Sequence, residues 1–336
     1  MVGLRTKSNS ATFLFSEDGS DSPTKRQVAF IGPYLVPDTD VIVESTRRPI
    51  NQLPAMDYGS KPADGGGLVV KSADYLALSD QRAKQLCRLY IGSDEFIDGK
   101  LRYCLWVPND RIDEARISEF VRERENQVRQ FRAKSKKGQT RDLANDPFRF
   151  AEIRHSDRDP TAMPLIIPIH TGEDRQFLPV GALQRGAVVS NAAFGLYDAP
   201  LWNMALIASR IHLIWIATVC GKLETRYRYS NTLGWNTFPV PKLTEQNKTD
   251  LTRCAEDILL AREAHFPATI ADLYDPAKMP ANLREAHERN DETLERIYIG
   301  RLFKNDTERL EKLFELYTKM TSGAPTSSSA PRIKKP

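Results

Sequence analysis

The sequence lacks the ligand spacing of a metalloprotein. Its four cysteines (Cys87, Cys104, Cys220, Cys254) form no CxxC pair, and its five histidines (His155, His170, His212, His265, His287) are equally scattered. Zinc fingers and ribbons need closely spaced ligand pairs, so no structural metal site is expected. Sparse, unpaired cysteine suits a reducing cytoplasm. The opening MVGLRTKSNS has no apolar core of the kind a signal peptide needs. Long hydrophobic runs are also scarce. The most apolar stretch, Leu201 to Val219, contains Asn203, Ser209, Arg210 and His212. An arginine near mid-bilayer is costly, so this stretch is expected to be a buried helix rather than a membrane span. Missing too are a GxGxxG or Walker loop, an HExxH and a GxSxG, which removes the common phosphate-cradling, zincin and serine-hydrolase chemistries.

What is present is a chain of 336 residues, enough for about two domains. Residues 1–27 are polar apart from Ala11 to Phe15, and are expected to be a short β-segment with a flexible connector. From Val28 onward, strand-like runs occur at Val41–Val43, Leu68–Val70, Tyr103–Val107, Leu165–Ile167 and Ala187–Val189, separated by turn signals such as Gly65-Gly66-Gly67. Helical patterns lie between them at Ala73–Leu89 and from Ile112 to about Ala144. Beyond Phe238-Pro239-Val240-Pro241 the texture turns helical. Thr244 is a candidate N-cap for a helix to Ala264, followed by helices over Leu283–Ile299 and Asp306–Thr321. The expected fold is α/β (mixed α+β), with a body at 28–240, a helical domain at 241–321, and a Ser/Pro-rich tail at 322–336 that reads as disordered.

Charge is uneven. The net charge of the chain is only +4, yet Arg122–Arg141 holds eight basic residues against Glu123 and Glu125. Such a run can neutralise nucleic-acid phosphates, or it can be a solvated helix face. A second pattern lies in Lys222–Ser230, KLETRYRYS. Read with period two, Leu223, Thr225, Tyr227 and Tyr229 share one face of a strand, and Glu224, Arg226, Arg228 and Ser230 share the other. Successive groups on one face lie about 6.5–7 Å apart. An arginine can grip guanine O6 and N7, and a carboxylate can accept from cytosine N4, so Glu224 beside Arg226 suits a C·G pair. An exposed strand laced by its own Glu–Arg pairs fits the same pattern. The stretch Asn145-Asp146-Pro147-Phe148 comes nearest to the Asn/Asp-Pro-Pro-aromatic motif of an amino-methyltransferase. It lacks one proline and follows a charged helix end, so it reads as a helix stop.

Several segments, in order along residues 28–300, resemble the target-recognition and C-terminal portions of MmeI-like DNA methyltransferase/restriction enzymes. They are Gly32-Pro33-Tyr34-Leu35, Tyr58-Gly59-Ser60-Lys61-Pro62-Ala63-Asp64-Gly65-Gly66, Tyr103-Cys104-Leu105-Trp106, Ser209-Arg210-Ile211-His212, Arg226 to Thr232 continuing to Pro239, and Ala271 to Pro276. The resemblance implies a restriction-modification protein of bacterial defence whose adenine-N6 methyltransferase core, with its S-adenosylmethionine, would precede this chain. The chain itself would hold no cofactor and no catalytic residue, and residues 11–27 resemble the end of such a core. The resemblance further implies base reading by Glu224, Arg226 and Arg228, with another position at Ala192 or Ala193. It favours phosphate contacts from the basic run (Arg129, Arg132, Lys134, Lys136, Lys137) and from Lys61. The implied partners are double-stranded DNA and a separate catalytic chain, with no membrane. A stand-alone DNA-binding regulator and a degenerate remnant with an interaction role are the rival readings.

Overall fold

A computed structural model of the protein describes residues 11–16, 24–37, 39–154, 163–172, 174–223 and 226–322. Strands β1 (Thr12–Ser16) and β2 (Thr24–Val28) pair as an antiparallel hairpin, so part of the segment expected to be a connector is a second strand. Arg26 ties the hairpin to the C-terminal helix through Glu311 at 2.5 Å. The strand expected at Val41–Val43 does not form. Only Val43 of the three is buried, and its N–H is taken by the Tyr34 hydroxyl at 3.1 Å rather than by a neighbouring strand.

β3 (Met56–Tyr58) and β4 (Val69–Lys71) follow, then two short helices, α1 (Ser72–Ala77) and α2 (Gln81–Gln85), and β5 (Cys87–Ile91). The single helix expected over Ala73–Leu89 is therefore broken. Asp80 caps α2, accepting from Arg82 N at 2.9 Å, and the β-favouring Leu89-Tyr90-Ile91 continues as a strand. α3 (Ser93–Asp98), β6 (Arg102–Leu105), α4 (Ile112–Ala115), α5 (Glu119–Ala133) and α6 (Gly138–Asp142) complete this lobe. Its four-stranded sheet takes its outer strand from β10 (Val188–Val189), in the order β10-β5-β6-β4. Leu68, Leu105, Val121, Val128 and Phe150 form its own core.

The second lobe carries β7 (Leu165–Pro168), β8 (His170–Thr171), β9 (Gly181–Ala182) and β11 (Ala193–Leu196). Its sheet runs β3-β11-β7-β9, all antiparallel. The most apolar stretch becomes two helices, α7 (Trp202–Ile207) and α8 (Arg210–Val219). The break falls at Ser209, whose hydroxyl accepts from His212 N at 3.2 Å and so caps α8. No helix among the described residues is long and apolar enough to cross a membrane. After β12 (Lys222–Leu223) and β13 (Arg226–Arg228) come α9 (Glu245–Glu263), α10 (Ile270–Leu273), α11 (Ala281–Ile299) and α12 (Asp306–Thr321). Thr244 caps α9. The helical region shares one core with the second lobe: Leu251, Ile258, Leu294 and Phe314 pack in the cluster that holds Phe194 and Trp215. Each such side chain contributes about 1.5–3 kcal/mol on burial. The sheet therefore stands on a helical foundation.

Candidate nucleic-acid interface

The KLETRYRYS segment is not the single strand its alternation suggests. β12 and β13 pair antiparallel with Leu223 opposite Arg226, so Leu223 and Arg226 belong to two strands rather than one. Glu224, a candidate base reader, lies outside the described residues. From Arg226 onward the alternation holds: Arg226 and Arg228 are exposed, Tyr227 is half-buried and Tyr229 is buried. The two guanidinium-bearing residues thus share the outward face of β13.

β13 is the middle strand of a three-stranded sheet, order β12-β13-β8, with Tyr227 opposite Thr171 and Arg228 opposite His170. Arg228 N donates to Gly221 O at 3.0 Å and Tyr229 N to Ile169 O at 2.8 Å. Arg228 and His170 are therefore a non-hydrogen-bonded pair, the kind whose Cα atoms approach to about 4.5 Å and whose side chains lie on the same face. His170 is exposed. Partial burial, then the nearby Arg228 and Arg226, lower the pKa of its imidazole. At neutral pH it is an uncharged ring with one donor and one acceptor. The sequence offered no signal for His170, because its pairing with Arg228 is long-range.

The other base-reading candidates lie where the turn after β10 meets β11: Ala192 ends the turn and Ala193 begins the strand. Ser190 N donates to Ile91 O at 2.8 Å, Ala193 N to Ser190 O at 2.9 Å, and Ser93 Oγ to Ala192 O at 2.6 Å. Ala192 is exposed. Ala193 is not: it is 0% exposed and packs with Ile91, Ile166, Val189 and Tyr197. Its place in β11 turns its methyl into the core, so of the two alanines only Ala192 can meet a ligand through its side chain. Ala192, His170 and Arg226 line one groove of about 710 Å³, whose lining also includes Tyr274 and Pro276 of the helical region.

The Tyr58–Asp64 motif braces this turn. Gly59 N donates to Ala193 O at 3.0 Å and Ser60 N to Val189 O at 2.8 Å. A Cβ at Gly59 would lie 2.2 Å from the carbonyl oxygens of Val189 and Ser190, so no other residue fits without moving the backbone. Lys61 is exposed, and its backbone exchanges hydrogen bonds with Glu152 at 2.9 and 3.0 Å.

The basic run has a different character. Arg132, a candidate phosphate contact, is 0% exposed. Its guanidinium donates to the carbonyls of Pro62, Ala63, Leu143, Asp146 and Arg149 at 2.7–3.1 Å, so it staples the lobe together and cannot reach DNA. Arg129 is committed to Glu125 at 2.9 Å and to Ala144 O at 3.2 Å. Arg124 donates to Gly67 O and Val69 O, Arg122 to Arg116 O, and Arg141 to Ser135 O. Glu125 is buried beneath Arg116 and Arg129. Burial alone would raise its pKa, but the hydrogen bonds from the two arginines outweigh it and hold the carboxyl below its ordinary value. Lys134, Lys136 and Lys137 are the candidates from this run that remain exposed.

The body is mixed α/β, with Arg226 and Arg228 on one exposed strand face and Arg226 lining a groove, and it shares its core with the helical region. Residues 37–242 match the MmeI target recognition domain, and residues 243–324 match the MmeI C-terminal domain. The chain belongs to the MmeI target recognition domain family. It is 35% identical over 320 residues to DNA methyltransferase A of Bacillus subtilis (strain 168), an alignment covering 95% of this chain and 35% of that protein. The solved structure of the Type IIL restriction-modification enzyme MmeI in complex with DNA matches with a TM-score of 0.80 at 33% identity, covering 94% of this chain and 42% of that one. The chain thus spans well under half the length of either relative.

Proposed function

We propose that this chain selects a sequence in double-stranded DNA, as the specificity portion of an adenine-N6 methyltransferase or restriction-modification enzyme working in the cytoplasm. The observation that carries the reading is the shared outward face of Arg226 and Arg228, with His170 across the ladder from Arg228 and Ala192 on the same groove. Guanidinium groups on a regular strand can address successive base edges in a major groove, and a small residue such as Ala192 leaves room for a base pair to approach. Glu224 belongs to the same proposal, as the acceptor that would complete a C·G contact with Arg226. Lys61, Lys134, Lys136 and Lys137 are proposed to hold the duplex through its phosphates, fixing orientation without reading sequence.

The regions of the relatives that lie beyond this chain's match are proposed to supply the methyl transfer, whether in one polypeptide or as a separate catalytic chain. S-adenosylmethionine would be bound there, and no residue of this chain is assigned to it. The role of this chain would be to hold the duplex in register while the target adenine is turned out of the stack. The test is a gel-shift with random duplexes at rising salt. Binding at low salt that weakens steeply as salt rises is expected. No binding even at low salt contradicts the proposal.

A further inference from the structure

Two of the resembling motifs, Ser209–His212 and Arg226–Thr232, meet inside the protein at one hydrogen bond: Tyr229 Oη lies 2.8 Å from His212 Nε2. Both residues are buried, Tyr229 directly after Arg228 and His212 in the first turn of α8. The sheet that presents the arginines is slight, with strands of two, three and two residues. A ladder so short does not hold its own twist and register in water. Tyr227 and Ile169 pack against the core from its edge, but Tyr229 is buried in it, where its ring lies 5.7 Å from Phe194, and the His212 ring in turn meets Phe238 at 4.4 Å. Because adjacent residues of an extended chain face opposite ways, fixing Tyr229 inward fixes Arg228 outward.

We propose that the His212–Tyr229 hydrogen bond is the positioning contact that sets the angle at which Arg228, and Arg226 beyond it, meet DNA. Among the described residues His212 Nδ1 has no hydrogen-bond partner, so Tyr229 supplies the imidazole's side-chain hydrogen bond while Phe238 and Trp235 pack against the ring. A hydroxyl bonded to a ring on a capped helix fixes the strand in rotation as well as in depth, which apolar packing alone does not. Burial drives the imidazole pKa down to about 3 and the phenol pKa well above its ordinary value. The contact is therefore between neutral groups and does not change between pH 6 and 8.

The inference rests on the DNA-reading proposal above, and one experiment separates the two. The full chain and its variants are used to select sequences from a randomised duplex pool, with affinity for a fixed non-cognate duplex measured across salt. Tyr229→Phe is expected to keep its non-cognate affinity and salt slope. Its discrimination at the base pairs that depend on Arg226 and Arg228 should fall about fivefold, the equivalent of one neutral hydrogen bond. His212→Gln, which retains a polar partner, should lose less than His212→Leu. The double variant Tyr229→Phe/His212→Leu should lose no more than the worse single change, since both act through one contact. It also removes both polar partners, so it serves if Tyr229→Phe alone does not fold. Unchanged discrimination in Tyr229→Phe overturns the proposal, as does an equal loss on every sequence. If Tyr229→Phe behaves as expected, both proposals stand. A wild-type chain with no sequence preference, or an Arg226→Ala variant that keeps it, overturns the DNA-reading proposal and this one with it.

Discussion

The basic run at 122–141 and the strand at 226–228 invert what their compositions suggest. The run is the most cationic stretch of the chain, yet most of its arginines serve the lobe's own carbonyls and one buried carboxylate. The strand carries two arginines, both exposed along one face, and Arg226 lines a groove. Charge density reports how many cations a segment has, whereas strand alternation reports where they point. A guanidinium has five donors in a planar fork, which suits it as well to bracing loop carbonyls as to gripping DNA. Only the surroundings decide between these uses.

The largest effect that could break this contrast is at Arg132. Arg132→Ala should cost about 3–5 kcal/mol of stability by removing a buried guanidinium that bonds five carbonyls, with denaturant unfolding as the check. A stable variant with weakened DNA binding would return Arg132 to the interface. Next is Glu125→Gln, expected to cost about 2–3 kcal/mol at pH 7, since its arginine partners are partly solvated. A carboxyl whose folded pKa is depressed stabilises the fold above its unfolded value of about 4.5, and that contribution is lost as pH falls through the lower folded value. The gap between wild type and Glu125→Gln should therefore close in acid, and a gap constant with pH contradicts the ion-pair assignment. Arg226→Ala should relax preference at one base position by about 1–3 kcal/mol of discrimination, read from sequence selection on randomised duplexes. The smallest effect belongs to Lys136→Ala, a uniform weakening on all sequences with the salt slope reduced by about one.

Where local signals decided the outcome, the sequence could be read well. The helix from Thr244 follows from its cap and periodicity and the helix at Asp306–Thr321 from its pattern, and both form. The outward pair Arg226 and Arg228 follows from alternation over residues Arg226–Tyr229. What could not be read depends on register between distant segments. The antiparallel pairing of Leu223 with Arg226 has no glycine or proline between them to announce it. Ala192 and Ala193 are indistinguishable as letters, and only the pairing of Ala193 with Pro168 in the sheet sends one into the core. Arg132 looks like its neighbours until the loops of residues 62–63 and 143–149 close around it. His170 gains interest only because β8 lies against β13.

Sequence selection from randomised duplexes by the Arg226→Ala/Arg228→Ala double variant tests the account most directly. A selected profile that goes flat at two base positions, with the other positions and the salt slope retained, is the predicted result. A profile of unchanged shape bound more weakly on every sequence would make these arginines backbone contacts and contradict the account.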